Sequence, residues 1–356
     1  MYIIIALLLL GILITVHEAG HFLAARLCRM DVMEFSIGFG PKLLGWQSKK
    51  HGTHFALRSI PLGGYCAFYG EDDAEGKYSG DSRAYNNQSV WKRMFTVIMG
   101  PLMNLVLAFV AVTLFFWIGG ITEITGVDPY IVQVNAAGPA YSAGLQDGDV
   151  IESINGVNML DGTTDTLLNT LSGYREGDAP MQVIIRRGEE TFETELAPVW
   201  NEEEGRSLIG VTIGGRYRTQ VSPCPLGTAI AEGWDYCVYA GGAIVTSLKD
   251  LVTTGKGLDQ TSGPVGIVSM VSTEVKNHGL EAFISSLTVI SINLGIMNLL
   301  PIPGLDGSRL VFMIIEAIRR KPVPPRKEAI VHLIGMIFLF AVMIFFTFKD
   351  VLNLFK

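Results

Sequence analysis

His17-Glu18-Ala19-Gly20-His21 puts three ionisable side chains within five residues, inside an apolar run from Met1 to about Leu23. Ionisable groups in a hydrocarbon-length segment are costly and are usually kept for a function or a partner. On a helix, residues four apart are about 40° out of phase, so both imidazoles point the same way. That spacing suits two nitrogen ligands of one zinc ion. Glu18 projects beside them, where a carboxylate can take a proton from metal-acidified water. The bland alternative is a polar helix end that snorkels to the interface.

Catalytic zinc usually has three protein ligands and one open position. A third ligand is therefore expected elsewhere, and Asp306 is the candidate. It is the only acid in Asn298-Leu299-Leu300-Pro301-Ile302-Pro303-Gly304-Leu305-Asp306-Gly307, which ends a second long apolar run. The Pro-x-Pro-Gly sequence breaks a helix and frees backbone groups. At membrane depth this is tolerated only where the backbone is packed in protein or lines a cavity. An ordinary helix-ending turn with a solvated Asp is the alternative.

HEAGH and NLLPIPGLDG together resemble the site-2 protease family of intramembrane zinc metalloproteases, in its bacterial RseP/RasP-like branch with a single PDZ domain. The likeness covers nearly the whole chain and includes Gly38–Pro41, Gly100–Asn104 and Ser262–Ile267. It implies a polytopic α-helical membrane protein with four transmembrane helices, a membrane-associated β-hairpin region beside the active site, and one inserted extracytoplasmic PDZ domain (α+β). It implies a Zn2+ ion held by His17, His21 and Asp306, with Glu18 as the catalytic base. Asn293 and Asn298 would contact substrate, with helix–helix hydrogen bonding as the alternative. The implied substrates are single-pass membrane proteins cut in regulated intramembrane proteolysis, of the anti-sigma-factor or remnant-signal-peptide type. The sequence chooses between these no further.

At 356 residues the chain has room for two or three domains. It is 49% hydrophobic and only 17% charged, which fits a membrane protein carrying a soluble part. Its net charge of −7 argues against nucleic-acid binding. Cys28, Cys66, Cys224 and Cys237 form no CxxC pattern and no disulfide framework. A Cys224–Cys237 bridge stays open if both lie outside the cell. The apolar start lacks a basic n-region and a small-residue cleavage site, so it reads as a span and not as a signal peptide. Arg26 and Arg29 follow it. The positive-inside rule then puts the N-terminus outside a bacterial cytoplasmic membrane.

In order, the expected regions are a membrane core (1–122), a PDZ domain (123–200), an extracytoplasmic linker (201–279) and a second piece of membrane core (280–356). The spans are expected at about Tyr2–Ala24, Met94–Ile118, Leu280–Leu300 and Ala329–Phe348. Val32–Ile37 and His54–Arg58 read as short strands between Gly-rich turns. A sheet edge suits a protease, because an unwound substrate can add to it as a strand. A plain cytoplasmic loop is the alternative. Glu71–Arg83 reads as a polar, Gly-rich, mobile loop. Gly100-Pro101 reads as a break, and Asn104 as packing on the catalytic helix or bonding between helices.

Gly138–Gly156 resembles a PDZ domain, with strands at Tyr130–Val134, Met181–Arg186 and Thr191–Leu196 and a helix near Thr164–Leu171. Such a domain binds a peptide terminus or acts as a size filter, and the sequence leaves this open. Trp234–Val252 is apolar but carries Asp235, Lys249 and Asp250. If it crossed alone, Asp306 would end on the wrong side, so it reads as an amphipathic helix on the outer surface, leading into a Ser262–Ile267 loop. Arg319–Lys327 is basic and therefore cytoplasmic, and His332 reads as an interface residue. Two other classes compete with the protease. An inactive membrane PDZ scaffold predicts a missing ligand or base, yet all are present. A transporter predicts duplicated broken helices, and the sequence has one.

Overall fold

The computed structural model describes residues 1–71, 78, 80–160, 164–175, 177–202, 205–258 and 261–354. Most of the polar loop expected at Glu71–Arg83 lies outside them. In chain order the structure holds helix α1 (Tyr2–Leu27), strands β1 (Val32–Gln47) and β2 (His54–Phe68), and helix α2 (Val90–Gly119). Next come strand β3 (Ile121–Val134), helix α3 (Pro139–Ser142), strands β4 (Val150–Ile154) and β5 (Val157–Asn158), and helix α4 (Thr164–Ser172). Strands β6 (Met181–Arg187), β7 (Glu190–Leu196), β8 (Val199–Asn201), β9 (Arg206–Leu208) and β10 (Val211–Ser222) follow. Helices α5 (Leu226–Thr254), α6 (Pro264–Leu299), α7 (Asp306–Arg319) and α8 (Pro325–Leu354) end the chain. These form two compact units, Met1–Ile118 with Cys224–Lys356, and Gly119–Pro223.

In the first unit, four helices are long and apolar enough to cross a membrane: α1, α2, α6 and α8. Leu9 and Leu13 of α1 are fully buried against Val271, Val275 and Leu287 of α6. α1 stops where Arg29 takes the left-handed conformation (φ 61°) and the Met30 N–H reaches back to the Ala25 carbonyl at 2.9 Å. That closing bond satisfies a carbonyl that the helix end would otherwise orphan. α1 and α2 meet through small residues. A Cβ on Gly20 would strike the Met99 backbone, and one on Gly100 would enter the His21 imidazole. Close approach at small residues is how apolar helices associate without a hydrophobic driving force.

Gly100-Pro101 does not end the helix: α2 continues through Pro101 to Gly119. Gly100 serves the approach of His21 instead. α6 also begins earlier than expected, since Pro264–Ile267 form its first turn and not a loop. A kink at Gly279 (φ 62°) divides it close to where the membrane span was expected to start.

α5 departs further from the expectation of a surface helix at 234–252. It is 29 residues long and lies along α2 and α6. Ala240 is buried with Ala108 and Ile292, and Leu105 and Ile296 pack on the same cluster. Gly233 comes so close to α2 that a Cβ there would strike Thr113. The charges that argued for a surface helix, Asp235, Lys249 and Asp250, are all exposed. They lie off the packed face, so the helix buries one side and keeps them on the other.

β1 and β2 are long, bent ribbons that pair with each other. Phe35 lies opposite both Cys66 and Phe55, and Trp46 lies opposite Phe55. The register orders the segments 64–68, 32–37, 54–57 and 42–47. Phe22 of α1 packs edge-on against Phe35 and Phe55, with ring centroids 5.6 and 5.7 Å away. This aromatic contact seats the sheet on the helix that carries His17 and His21.

In the second unit the sheet order is β10-β3-β4-β6-β7, with β5 beside β4. Ile131, Ile151, Ile154, Val183, Ile185 and Leu196 fill its core, with Met159 and Leu167 alongside. The unit extends past the 123–200 read from sequence, because β10 pairs with β3 from Ile121–Ser222 to Val134–Val211. The chain therefore enters and leaves on neighbouring strands. All four cysteines are free, so Cys224 and Cys237 are unbridged.

The helix contacts give a matched pair of substitutions. A Cβ on Gly20 meets fixed backbone, whereas one on Gly11 of the same helix meets nothing within 4 Å. Gly20→Ala should destabilise the protein by about 1–3 kcal/mol. Gly11→Ala should be neutral or stabilising by about 0.5–1 kcal/mol. Apparent melting of the two purified variants in detergent checks the contrast.

Candidate metal centre

His17 and His21 stand one turn apart on α1. Their rings meet edge-on at 88°, with centroids 4.8 Å apart. The two Nε2 atoms are 3.2 Å apart. Asp306 Oδ2 lies 3.1 Å from His17 Nε2 and 3.4 Å from His21 Nε2. Among the described residues this is the one cluster of at least three His, Cys, Asp or Glu side chains that could hold a metal.

Local structure places each donor. α6 ends at Leu299, and Leu300–Leu305 turns through Pro301, Pro303 and Gly304 before α7 starts at Asp306. Gly304 takes φ 98°, a conformation that glycine adopts without strain. Gly307 lies so close to the Leu299 and Leu300 carbonyls that a Cβ would strike them. On α8, a Cβ at Gly335 would strike Pro303. The turn is thus packed in protein, which is where freed backbone is tolerated.

The imidazoles are oriented from behind. His21 Nδ1 lies 2.9 Å from the Thr96 carbonyl, which can only accept, so Nδ1 carries the proton and Nε2 is free as a ligand. Behind His17 stands Asn104, fully buried on α2, with its side-chain nitrogen 3.4 Å from His17 Nδ1 and its Oδ1 without a partner. The amide is symmetric in shape. The orientation that turns Oδ1 toward His17 lets it accept from Nδ1–H and leaves Nε2 facing Asp306. Asn104 also accepts a hydrogen bond at its backbone carbonyl from Ser291 Oγ of α6, at 2.7 Å.

The donor set fits zinc. Two neutral nitrogens and one carboxylate oxygen lie 3.1–3.4 Å from one another. Those separations are what a tetrahedral set at about 2.0–2.1 Å from one ion imposes. Asp306 Oδ2 is buried and accepts no hydrogen bond. A buried carboxylate oxygen without a partner is costly, and a cation supplies the missing one.

A cavity of about 170 Å³ opens onto this triangle. A single water needs only about 10–15 Å³ on this kind of measure, so there is room for water and a reacting group. Glu18 lines the cavity, with Gly304, Leu305 and Arg309 on one side and Gly64, Tyr65, Cys66 and Phe68 of β2 on the other. β2 approaches Glu18 so closely that a Cβ on Gly64 would lie 3.1 Å from Glu18 Cγ. Arg58 fixes Tyr65 in this wall: its Nη2 donates to Glu34 Oε1 and to the Tyr65 hydroxyl, both at 2.7 Å. Burial raises the Glu34 carboxyl, but the bonds from Arg58 and Tyr65 outweigh it and hold Glu34 below its ordinary range. Burial pushes the Cys66 thiol well up, so it is an inert part of the wall.

Asn293 is exposed and Asn298 half-buried on α6, and neither lines this cavity. His332 stays away from the donors, with Nδ1 3.4 Å from Ser308 Oγ. Sequence reasoning did not anticipate Thr96, whose contribution is a backbone carbonyl. It also did not anticipate Arg309, which donates to Glu71 Oε1 at 2.5 Å across 238 residues of chain. The spacing of Arg309 three residues after Asp306 was the available signal.

Two imidazoles, a carboxylate and an unliganded glutamate around one cavity define a metal-dependent hydrolase site. The model of peptidase family M50 matches residues 5–342. A putative zinc metalloprotease of Agrobacterium fabrum is 33% identical, covering 99% of this chain and 96% of its own length. One of Clostridium acetobutylicum is 35% identical over 98% of this chain and 97% of its own. The regulator of sigma-W protease RasP of Bacillus subtilis is 31% identical over 98% of both chains. A solved PDZ domain of an SdrC-like protein from Listeria monocytogenes covers 26% of this chain and 90% of its own, at 21% identity and a TM-score of 0.22, too low to carry an argument about the sheet unit. The chain belongs to peptidase family M50. It is a zinc metalloprotease.

The layer behind the histidines makes its own prediction. Asn104→Ala should leave the fold and all three donors in place yet weaken zinc binding about 10–100-fold. Gly100→Ala should prevent stoichiometric zinc binding, because its methyl occupies the space of His21. Chelator competition on the purified variants measures both.

Proposed function

We propose that the protein is an intramembrane site-2 protease that cuts single-pass membrane proteins within their membrane segment, in regulated intramembrane proteolysis. The observation that carries this is the donor triangle, with Glu18 beside it, in a cavity between helices that are themselves of membrane-crossing length. In this reading His17, His21 and Asp306 hold the zinc ion and Glu18 is the base. Zinc, when bound, supplies a Lewis acid that acidifies water and stabilises oxyanion charge. Glu18 takes a proton from the attacking water and returns it to the leaving amine. Thr96 and Asn104 hold the imidazoles in the ligating tautomer.

Helical peptide bonds are shielded, so the substrate must be locally unwound. Segment 64–68 of β2 is paired on one side, with 32–37, and among the described residues no strand covers its other side. It borders the cavity through Gly64, Tyr65, Cys66 and Phe68. An unwound substrate segment adds there as a strand, with backbone bonds giving affinity and side-chain pockets selectivity. Asn293 and Asn298 contact the substrate outside the cavity, on its approach along α6.

The four apolar helices cross a bacterial cytoplasmic membrane, with the N-terminus and the 119–223 unit outside. That unit is read as a PDZ domain that binds a peptide terminus or excludes bulky, untrimmed proteins. The substrates fit anti-sigma factors or remnant signal peptides, single spans already trimmed outside.

Cleavage of a model single-pass substrate by the purified, zinc-loaded protein tests the reading, with Glu18→Gln alongside. The wild type should cut within the membrane segment. Glu18→Gln should bind one zinc per chain and lose at least about a hundredfold in rate. Equal cutting by both would remove Glu18 from the mechanism.

A further inference from the structure

α7 has two faces. The one toward the protein carries Asp306, Arg309, Met313 and Glu316. Arg309 pairs with Glu71, Glu316 pairs with Arg93 of α2, and Met313 is buried. At about 100° per residue, Val311, Ile314 and Ile318 fall within about 60° of one another on the opposite face. They are 38%, 45% and 77% exposed. The helix then ends in a basic strap. Arg320 closes it in the left-handed conformation (φ 56°, ψ 24°), where glycine costs least. Arg319, Arg320, Lys321 and Lys327 are exposed and make no ion pair among the described residues. Lys327 lies in the first turn of α8, whose apolar window is only 6% buried.

We propose that the Val311–Ile318 stripe and the strap after it dock on an anionic phospholipid surface. The stripe lies in the acyl boundary, and Arg319, Arg320, Lys321 and Lys327 meet headgroup phosphates. Charge complementarity selects the occupant. An apolar stripe ending in unpaired cations is the pattern of a helix lying in an anionic interface. A second copy of the chain would bring the same cations against these and be repelled. Continuity supports it, since the strap joins the stripe to a helix of membrane-crossing length that is largely uncovered by protein. Membrane orientation alone requires the charges but neither the aligned stripe nor an arginine in the helix-closing position. The docking has a consequence for the metal centre: Asp306 is the first residue of this 14-residue helix.

Native mass spectrometry of the purified, zinc-loaded protein in neutral detergent tests the proposal, titrating phosphatidylglycerol and phosphatidylcholine separately. Each basic residue near an anionic surface is worth about fivefold. R319Q/R320Q/K321Q/K327Q should therefore lose at least about tenfold in phosphatidylglycerol affinity while phosphatidylcholine binding is unchanged. The Arg319→Lys, Arg320→Lys variant should bind as the wild type does. Raising ionic strength should erase the wild type's lipid preference without any substitution, which keeps the test valid if the fourfold variant fails to fold. Unchanged phosphatidylglycerol binding in a folded fourfold variant overturns the proposal. So does equal competition by glycerol 1-phosphate, which would show a site for free phosphate, or a dimer whose interface excludes the lipid. The readout is lipid binding, so it is independent of proteolysis.

Discussion

The structure depends on one problem: two imidazoles and two carboxylates must be held in an apolar helix packing where unpaired polar groups are costly. Each neighbouring feature answers part of it. The Thr96 carbonyl accepts the hydrogen bond from His21 Nδ1–H, and Asn104 stands against His17 Nδ1. Gly20 and Gly100 let α2 come close enough to α1 for those contacts to form. The interruption after Leu299 turns Asp306 back toward the histidines. What remains unsatisfied is Asp306 Oδ2, where a cation fits. Each support keeps a buried polar group partnered, so the helix packing and the orientation of the imidazoles depend on the same residues.

The sheet adds the second requirement, access to extended backbone. Its segment order leaves 64–68 at an edge, and the aromatic contact of Phe22 with Phe35 and Phe55 fixes that edge beside Glu18. Arg58 then ties Glu34, Ser36, the Gly40 carbonyl and Tyr65 together across the sheet. A charge network inside a sheet of otherwise apolar character resists slippage, because a one-residue shift would turn every side chain to the other face. The register that places Gly64 against Glu18 is held by polar bonds as well as by packing.

How much of this was legible in the sequence follows from how local each signal is. HExxH is a spacing on one helix, and its geometry comes from helical phase alone. Asp306 was legible because an acid beside Pro-x-Pro-Gly has few reasons to stand at the end of an apolar run. The strands run longer than the sequence suggests because the glycines that suggest turns, Gly38, Gly40 and Gly63, lie inside the ribbons at positive φ. Gly100-Pro101 misled in the same way: a residue pair that often breaks a helix here serves a close contact. β10 was assigned to a linker because its polar, alternating sequence shows its place only beside β3. Arg309–Glu71 and Arg93–Glu316 join residues 238 and 223 apart, which no local pattern encodes.

Those two ion pairs show how a side chain from far along the chain keeps its place beside the histidines. Asp306 enters from a turn, and turns are where backbones are least constrained. The helix that follows it is anchored twice on the same face, by Arg309 to Glu71, which accepts from the Phe68 N–H at the end of β2, and by Glu316 to α2. Met313 sits between them, buried with Val97, Phe68 and Tyr85. A helix gripped at both ends and in the middle cannot rotate without breaking a partly buried ion pair, and a rotation of one residue, about 100°, would carry Asp306 out of the centre. The anchoring of α7 thus adds to the packing of the turn. β2, which supplies the cavity wall, is tied through Glu71 to the same helix that supplies the ligand. The donor triangle and the sheet edge at 64–68 are therefore held in register with each other, and not merely each with α1.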